Sequence, residues 1–253
     1  MKLISLNIEG AKHLARVCAF LEKEDADVLC VQEIFERDAE MIARKYNLNH
    51  SFSPMLLSQY IKKENEPWEP FGICMFSKTL LENVRSDMYW SPHQDLKKFD
   101  TTNVHTKRET ERHMLLSANV TIGETLYTVA TTHFTWTPDG QSDSYQETDT
   151  ETLLHILEAF PEVILCGDFN LPRNHNPLYE KFSSRYIDAI PPEYTSSLDL
   201  TLHRMGNNPV ESSKLAQFMV DYLFLTPQYH ADNVHLESGV SDHMAVVADI
   251  KKI

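Results

Sequence analysis

No run of apolar residues in this 253-residue chain reaches the length of a membrane span. No basic-then-apolar leader precedes the first apolar segment, which begins almost at Met1. On these two absences the expectation is a soluble, cytoplasmic protein without a membrane anchor. Paired cysteines are missing as well. Cys18, Cys30, Cys74 and Cys166 each sit inside an apolar stretch, and none has the spacing of a zinc site, so they read as buried free thiols. No Pro/Gly/Ser-rich linker, low-complexity tract or internal repeat divides the chain, whose polar motifs run from Asn7 to His243. One domain over residues 1–253 is therefore expected, long enough to bury a sizeable core. Positive charge is scarce: 23 Lys and Arg stand against 37 Asp and Glu, a formal charge of −14. That balance works against general affinity for polyanions. A bound metal inverts the field locally, so a nucleic-acid substrate is disfavoured without being excluded.

What the chain does hold is a series of apolar runs. Residues 2–7 read as a buried strand, and residues 11–23 as an amphipathic helix with Leu14, Val17, Cys18 and Leu21 at helical spacing. A strand over 28–33 follows, then a helix over 36–46 with Ala39, Ile42 and Ala43 inward. Residues 71–76, 115–122 and 126–132 read as strands, the last two as a hairpin around Gly123-Glu124. A helix over 151–160 feeds a strand over 163–168, and strands over 218–225 and 244–250 complete the pattern. Strands outnumber helices and occur in both hairpin and crossover arrangements, which points to packed mixed sheets with helices outside. Three polar stretches, 51–70, 87–112 and 135–148, read as long functional or disordered loops. Their aromatics, Trp68, Tyr89, Trp90, Trp136 and Tyr145, either stack on a base or lipid-like group or pack over the rim.

Several of these runs end in polar side chains, and the most informative is Ile164-Leu165-Cys166-Gly167-Asp168-Phe169-Asn170. A buried strand that stops at an acid aims that acid off the end of its sheet. Asn7, Glu33 and His133 close other apolar runs, and Asp242-His243 opens one. Oxygen ligands and imidazoles in this combination suit metal-assisted phosphoryl hydrolysis. Glu33 is the principal candidate ligand, because a carboxylate ending an apolar strand is costly without a partner. Asn7 coordinates the ion or orients Glu33, and Asp242 serves the metal or its water. Asp168 is the natural group to orient and deprotonate an attacking water. Asn170, two residues on and on the same side in extended geometry, donates to a phosphoryl oxygen or else forms an Asx-turn before Pro172. Asp221 lies inside an apolar strand and needs a partner, for which His243 is proposed, oriented through one ring nitrogen. His243 as an imidazolium stabilises charge on phosphorus-bound oxygens, and His133 protonates the leaving oxygen. His50, His93, His175, His203 and His235 show no ligand spacing and read as surface residues. Arg108 and Arg112 precede a strand and either hold a phosphate or lie at the surface.

With these residues assembled, the chain resembles the endonuclease/exonuclease/phosphatase superfamily, including its deoxyribonuclease-like and tyrosyl-DNA-phosphodiesterase-like members. Six segments carry the resemblance in order: Ser5-Leu6-Asn7, Val31-Gln32-Glu33, Thr132-His133-Phe134, Gly167-Asp168-Phe169-Asn170, Val220-Asp221-Tyr222 and Ser241-Asp242-His243. The resemblance implies an α/β (α+β) fold: a four-layer αββα sandwich of two mixed, mainly antiparallel sheets flanked by helices. It also implies Mg²⁺ or Mn²⁺ as cofactor. By the same resemblance Glu33, Asn7 and Asp242 form the metal end, Asp168 activates water, Asn170 and His243 hold the phosphate, and Asp221 orients His243. A histidine at position 133 is similar to the deoxyribonuclease and sphingomyelinase branches. Ile8-Glu9-Gly10 departs from the pattern, since many relatives carry Trp near that Asn. No apolar insertion resembles the membrane-binding hairpin of secreted sphingomyelinases. The expected activity is phosphodiester hydrolysis, as a nuclease acting on DNA or RNA. The alternatives are a phosphatase of a small phosphorylated metabolite or lipid headgroup, and a catalytically silent scaffold.

Overall fold

The computed structural model describes residues 1–59 and 66–253. Among them, twelve strands form two six-stranded sheets packed face to face. In the first, the order is β11 (Tyr229–Glu237), β12 (Ala245–Lys252), β1 (Lys2–Asn7), β2 (Val28–Phe35), β4 (Trp68–Ser77) and β3 (Asn49–Gln59). In the second it is β5 (Leu81–Trp90), β6 (His113–Ile122), β7 (Thr125–His133), β8 (Ile164–Asp168), β10 (Asp221–Leu225) and β9 (Ile187–Asp188). Each sheet has one parallel pair at its centre, β1 with β2 and β7 with β8, and antiparallel pairs elsewhere. A parallel pair needs a crossover. Helix α1 (Leu14–Glu24) supplies it in the first sheet and α4 (Ser144–Leu157) in the second. No helix among the described residues is long and apolar enough to cross a membrane.

Alternation along the central strands explains the layers. On β1, Leu3 faces the core between the sheets, while Ile4 and Leu6 face α1 and α2 (Glu36–Tyr46). On β2, Val28 and Cys30 point inward, and Leu29 and Val31 outward beneath Val17, Ala39 and Ile42. On the far side, Leu153, Leu154 and Leu157 of α4 close the second sheet. The result is the expected αββα sandwich of mixed, mainly antiparallel sheets. Strands covered on both faces need apolar residues at every position, which is why these runs stand out in the sequence.

Three expectations need correction. Of the supposed loop over 51–70, residues 51–59 belong to β3 and 68–70 to β4, while 60–65 lie outside the described residues. The stretch 87–112 contains the end of β5 and helix α3 (Val104–Thr110). The stretch 135–148 contains a 3₁₀ turn, Pro138–Gly140, and the first turn of α4, which starts earlier than predicted because Asp143 caps it by accepting the Gln146 N–H at 2.8 Å. Tyr89 is buried, and Trp68 and Trp90 lie on strands. Trp136 and Tyr145 stay exposed, at 41% and 37%. All four cysteines are free, with Cys30, Cys74 and Cys166 buried.

Gly167 sets the position of Asp168. Its φ is +140°, and a Cβ there would lie 2.0 Å from the Thr132 carbonyl oxygen of β7. Neighbouring backbone cannot yield as a side chain would. Gly167→Ala is therefore expected to cost more than about 3 kcal/mol of folding stability, measured by urea denaturation. A midpoint close to the native one would mean that β7 and β8 separate more easily than this packing allows.

Candidate active site

Parallel pairing puts the ends of β1 and β2 at one edge, with Asn7 opposite Gln32 and Glu33 one residue beyond. Pairing of β2 with β4 slips between Val31 and Ile34, and within that bulge Glu33 has φ +55°. A left-handed backbone costs a side-chain-bearing residue about 1–3 kcal/mol, and a bulge re-aims its side chain. The Ile8 N–H donates to the Gln32 carbonyl at 3.1 Å and the Gly10 N–H to the Glu33 carbonyl at 2.9 Å, so the loop after β1 holds the bulge in place. The second sheet repeats the arrangement, with His133 opposite Asp168 at the ends of β7 and β8.

Three side chains converge on one oxygen. Asp168 Oδ2 accepts from Asn7 Nδ2 at 3.0 Å, with His133 Nε2 at 3.6 Å and His243 Nε2 at 3.8 Å. Asn7 Nδ2 also donates to Glu33 Oε1 at 3.1 Å, and His133 Nε2 stands 3.7 Å from that atom. Asn7 Oδ1 accepts the Glu9 N–H at 3.1 Å, so Nδ2 is the side-chain atom turned toward the acids. Asp168 is buried, whereas the Glu33 side chain keeps 29% exposure.

The pairing proposed for His243 is present. Its Nδ1–H donates to Asp221 Oδ2 at 2.8 Å, and the Ser197 hydroxyl donates to the same oxygen at 2.6 Å. Ser197 Oγ in turn accepts the N–H groups of Val220 and Asp221, each at 3.1 Å. Burial opposes a charge on His243, but the carboxylates of Asp221 and Asp168 outweigh it and hold the ring pKa well above the usual value. That environment favours the imidazolium form.

Asp242 is 7% exposed and accepts the Ser241 hydroxyl at 3.2 Å. Burial pushes its carboxyl up to about 7; the neighbouring His243 pulls the other way, and the carboxylates of Glu9 and Glu33 add to the rise. Glu9, His13 and Asp242 each offer an atom within 4.8 Å of the others. Carboxylate oxygens crowded at a half-open edge are the donor set that Mg²⁺ or Mn²⁺ takes, and a cation there would offset both the burial that chiefly raises the Asp242 pKa and the lesser repulsion from Glu9 and Glu33. The residues fit a hard divalent cation.

The structure thus brings Asn7, Glu33, His133, Asp168, Asp221, Asp242 and His243 to one edge, and Asn170 follows Asp168 there. The geometry expected for Asn170 differs. It is left-handed, with φ +50°, its N–H donates to Asp168 Oδ1 at 2.9 Å, and its Nδ2 to the Phe134 carbonyl at 2.9 Å. That is the Asx-turn rather than an extended pair. Of the two arginines, Arg108 is not a surface residue. Arg108 is buried in a bidentate pair with Asp149, with its guanidinium 3.9 Å from the Trp90 ring centroid, so it is not free for a phosphate. Arg112 is half-buried and donates to the Gln94 carbonyl. His50, His93 and His175 are exposed and His235 partly so, whereas His203 is half-buried beside His243.

Sequence reasoning missed Ser197, Asp199, Glu9 and His13. Asp199 clamps the segment carrying Asp242: its N–H donates to the Asp242 carbonyl at 2.8 Å, and its Oδ2 accepts the Gly239 N–H at 2.6 Å. The signal available was local. Asp199 with Thr201 two residues on reads as an Asx-turn, and nothing in that pattern names its distant partner. Among buried histidines, His113 went unremarked; its ring Nδ1 lies 3.4 Å from the His133 carbonyl oxygen.

A family model described as Endonuclease/Exonuclease/phosphatase family matches residues 4–243. No curated protein matches the sequence. Among solved structures, the human Nocturnin catalytic domain with bound sulfate is similar at 16% identity and a TM-score of 0.71, covering 100% of this chain and 93% of that one. An endonuclease/exonuclease/phosphatase from Beutenbergia cavernae is also 16% identical, with a TM-score of 0.69 and coverage of 100% and 71%. A Neisseria 3′ phosphatase, NExo, bound to a product DNA hairpin, is 14% identical with a TM-score of 0.65, covering 99% of each chain. At such identities the likeness is one of fold.

Two measurements test the support around the site. Ser197→Ala strips an acceptor from two buried N–H groups and a donor from Asp221. It is expected to lower the unfolding free energy by about 1–3 kcal/mol, and an unchanged urea midpoint would remove Ser197 from this role. The second concerns His113, whose pKa burial holds well below the ordinary value, with Arg108 and His133 adding to the effect. The unfolded chain takes up that proton below about pH 6.5 and the folded protein does not. This contribution to stability is therefore complete above that pH and is lost as the pH falls below it. His113→Phe should flatten the acid side of a stability-versus-pH curve, and an unaltered slope would count against the assignment.

Proposed function

The chain belongs to the endonuclease/exonuclease/phosphatase family, and from that premise we propose that it is a divalent-metal-dependent phosphodiesterase, acting as one domain over residues 1–253. The observation that carries the reading is the convergence on Asp168 Oδ2 of one amide and two imidazoles, with Glu33 and Asp242 at the same edge. Glu33 and Asp242 would hold Mg²⁺ or Mn²⁺, with Asn7 orienting Glu33. When bound, the ion supplies charge stabilisation to phosphoryl and leaving oxygens. Asp168, accepting from Asn7 and Asn170, is oriented to take a proton from an attacking water. His243, kept protonated by Asp221, offers its Nε2–H to a non-bridging phosphoryl oxygen as charge builds there. Asn170 retains one amide proton for the same purpose. His133 reaches the site from the other strand of its pair and protonates the leaving oxygen.

DNA or RNA is the substrate class this reading favours. A formal charge of −14 supports a second one, a monoester carried by a small metabolite or lipid headgroup, since a chain so acidic repels long polyanions. A silent scaffold has no use for the whole set of reactive groups. One panel separates these readings: a chromogenic phosphodiester, its monoester, single-stranded and duplex DNA, RNA and inositol phosphates, each with Mg²⁺, Mn²⁺ or chelator. Chelator-sensitive cleavage of diester or nucleic acid is the expected result. Monoester turnover alone would move the function to phosphatase, and no turnover with metal bound would favour the scaffold. Asp168→Asn should lower turnover about 10²–10⁴-fold. Glu33→Ala should abolish Mn²⁺ binding by calorimetry, and retained binding would remove Glu33 from the metal.

A further inference from the structure

Directly beneath the site, the otherwise apolar space between the sheets is polar. Two residues before Asn7, His133 and Asp168 stand Ser5, Thr131 and Cys166, which the period of a strand places on the same inward face. One residue before Glu33 stands Gln32. Ser5 is 2% exposed and the other three are completely buried. Each of the four strands that carry a site residue at this edge therefore contributes one polar or thiol-bearing side chain to this layer. Gln32 Nε2 donates to Thr131 Oγ1 at 2.9 Å, across the sheets, and to Ser5 Oγ at 3.3 Å within its own sheet. The Cys166 thiol lies against the Ser5 and Thr131 hydroxyls and against Cys30. Gln32 Oε1 is buried without a hydrogen-bond partner among the described residues.

An apolar residue at position 32 would satisfy the alternation set by Val28 and Cys30 and would leave no orphaned acceptor. Packing alone therefore does not explain a glutamine there. Its bond to Thr131 lies one residue from Glu33 and two from His133. The Asn7–Asp168 bond, 3.0 Å, joins the same two sheets at the level above.

We propose that Gln32 is a positioning residue, whose cross-sheet bond to Thr131 fixes the separation of the Glu33 end of the site from the His133–Asp168 end. The inference rests on the functional reading above, because it assigns Glu33 to a metal and Asp168 to water. Misplacement of a reacting group by about 1 Å costs on the order of a hundredfold in rate, so a link at this level acts on chemistry as well as on stability.

The test uses the full chain with Mn²⁺ as the probe, read by calorimetry, alongside steady-state kinetics on a chromogenic phosphodiester. Gln32→Leu and Thr131→Val remove the two ends of the link, Thr131→Ser keeps the hydroxyl, and the double variant joins the first two. The expected result is Mn²⁺ affinity weakened about tenfold or more in both single variants, the range seen when outer partners of metal ligands are removed. kcat should fall about a hundredfold with KM nearly unchanged. The double variant should be no worse than the worse single variant, and Thr131→Ser should stay near native. If Gln32→Leu fails to fold, Thr131→Val and Thr131→Ser carry the test alone. The proposal is overturned if folded Thr131→Val binds Mn²⁺ within about twofold of native with native kcat, or if the two substitutions multiply independently. Native protein that binds no Mn²⁺ would instead sink the functional reading, which keeps the two failures apart.

Discussion

A parallel pair of strands cannot be closed by a hairpin, so both strands run off the same edge of their sheet, and a crossover of a dozen or more residues returns the chain. This protein uses that constraint twice. β1 ends in Asn7 and β2 carries Glu33 in its bulge in one sheet, and β7 and β8 end in His133 and Asp168 in the other. When the sheets stack, the two ends meet at one edge, and the Asn7 amide donates to Glu33 on its own side and to Asp168 across the gap. The rest of the site attaches to that frame. β10 pairs antiparallel with β8 in a register that sets Asp221 opposite Asp168, and Asp221 holds His243. A site distributed over the whole length of the chain is thus assembled by strand register rather than by proximity in sequence.

Electrostatics at this edge is deliberate in its imbalance. Glu9, Glu33, Asp168, Asp221 and Asp242 gather where burial penalises charge, against the His243 imidazole, whose pKa the three aspartates raise, and the Lys12 ammonium on Glu9. Left-handed backbone at Glu33 and Asn170 adds strain at the same place. Strain and like-charge crowding together are what a folding chain avoids unless a ligand makes use of them. The cost is spread through supports that have no chemistry of their own, such as Ser197 under Asp221 and Asp199 under Asp242.

How legible all this was in the sequence depended on where each strand sits. Eight strands were read from hydropathy, and each lies inside a sheet with two neighbours. The four missed, β3, β5, β9 and β11, are the outermost strands of the two sheets. An edge strand has a neighbour on one side only and exposes much of its surface, so β5 carries Glu82, Asn83, Arg85 and Ser86 where a central strand would carry valine. Its polarity resembles that of a loop. The site residues were legible for the converse reason: a polar side chain at the end of an apolar run is conspicuous. Asn170 was misjudged because extended geometry was assumed to continue past Asp168, where the backbone turns. Arg108 was misjudged because its partner, Asp149, lies forty-one residues away on a helix whose start was placed too late.

The same division separates what the frame decides from what it leaves to its surroundings. The candidate reactive groups sit at strand ends whose positions follow from register, while on the proposed reading discrimination between substrates falls to the segments leaving those ends. On the His133 side, Arg108 is spent on Asp149, Thr135 and two aromatic rings, Trp90 and Tyr145. Lys107, 4.3 Å above the exposed Trp136 ring and 3.8 Å from the Glu111 carboxylate, is a cation with a planar partner at the rim. On the His243 side, Asp199 clamps the turn that carries the half-buried His203. On the proposed reading, a substrate whose phosphate faces His243 and Asn170 extends past one or both of these walls. Bulk charge is then a poor guide to its size, because what repels a polyanion at long range is the whole surface. What admits it is the short-range pattern at these two walls, and that pattern includes the Lys107 ammonium despite the acidic total.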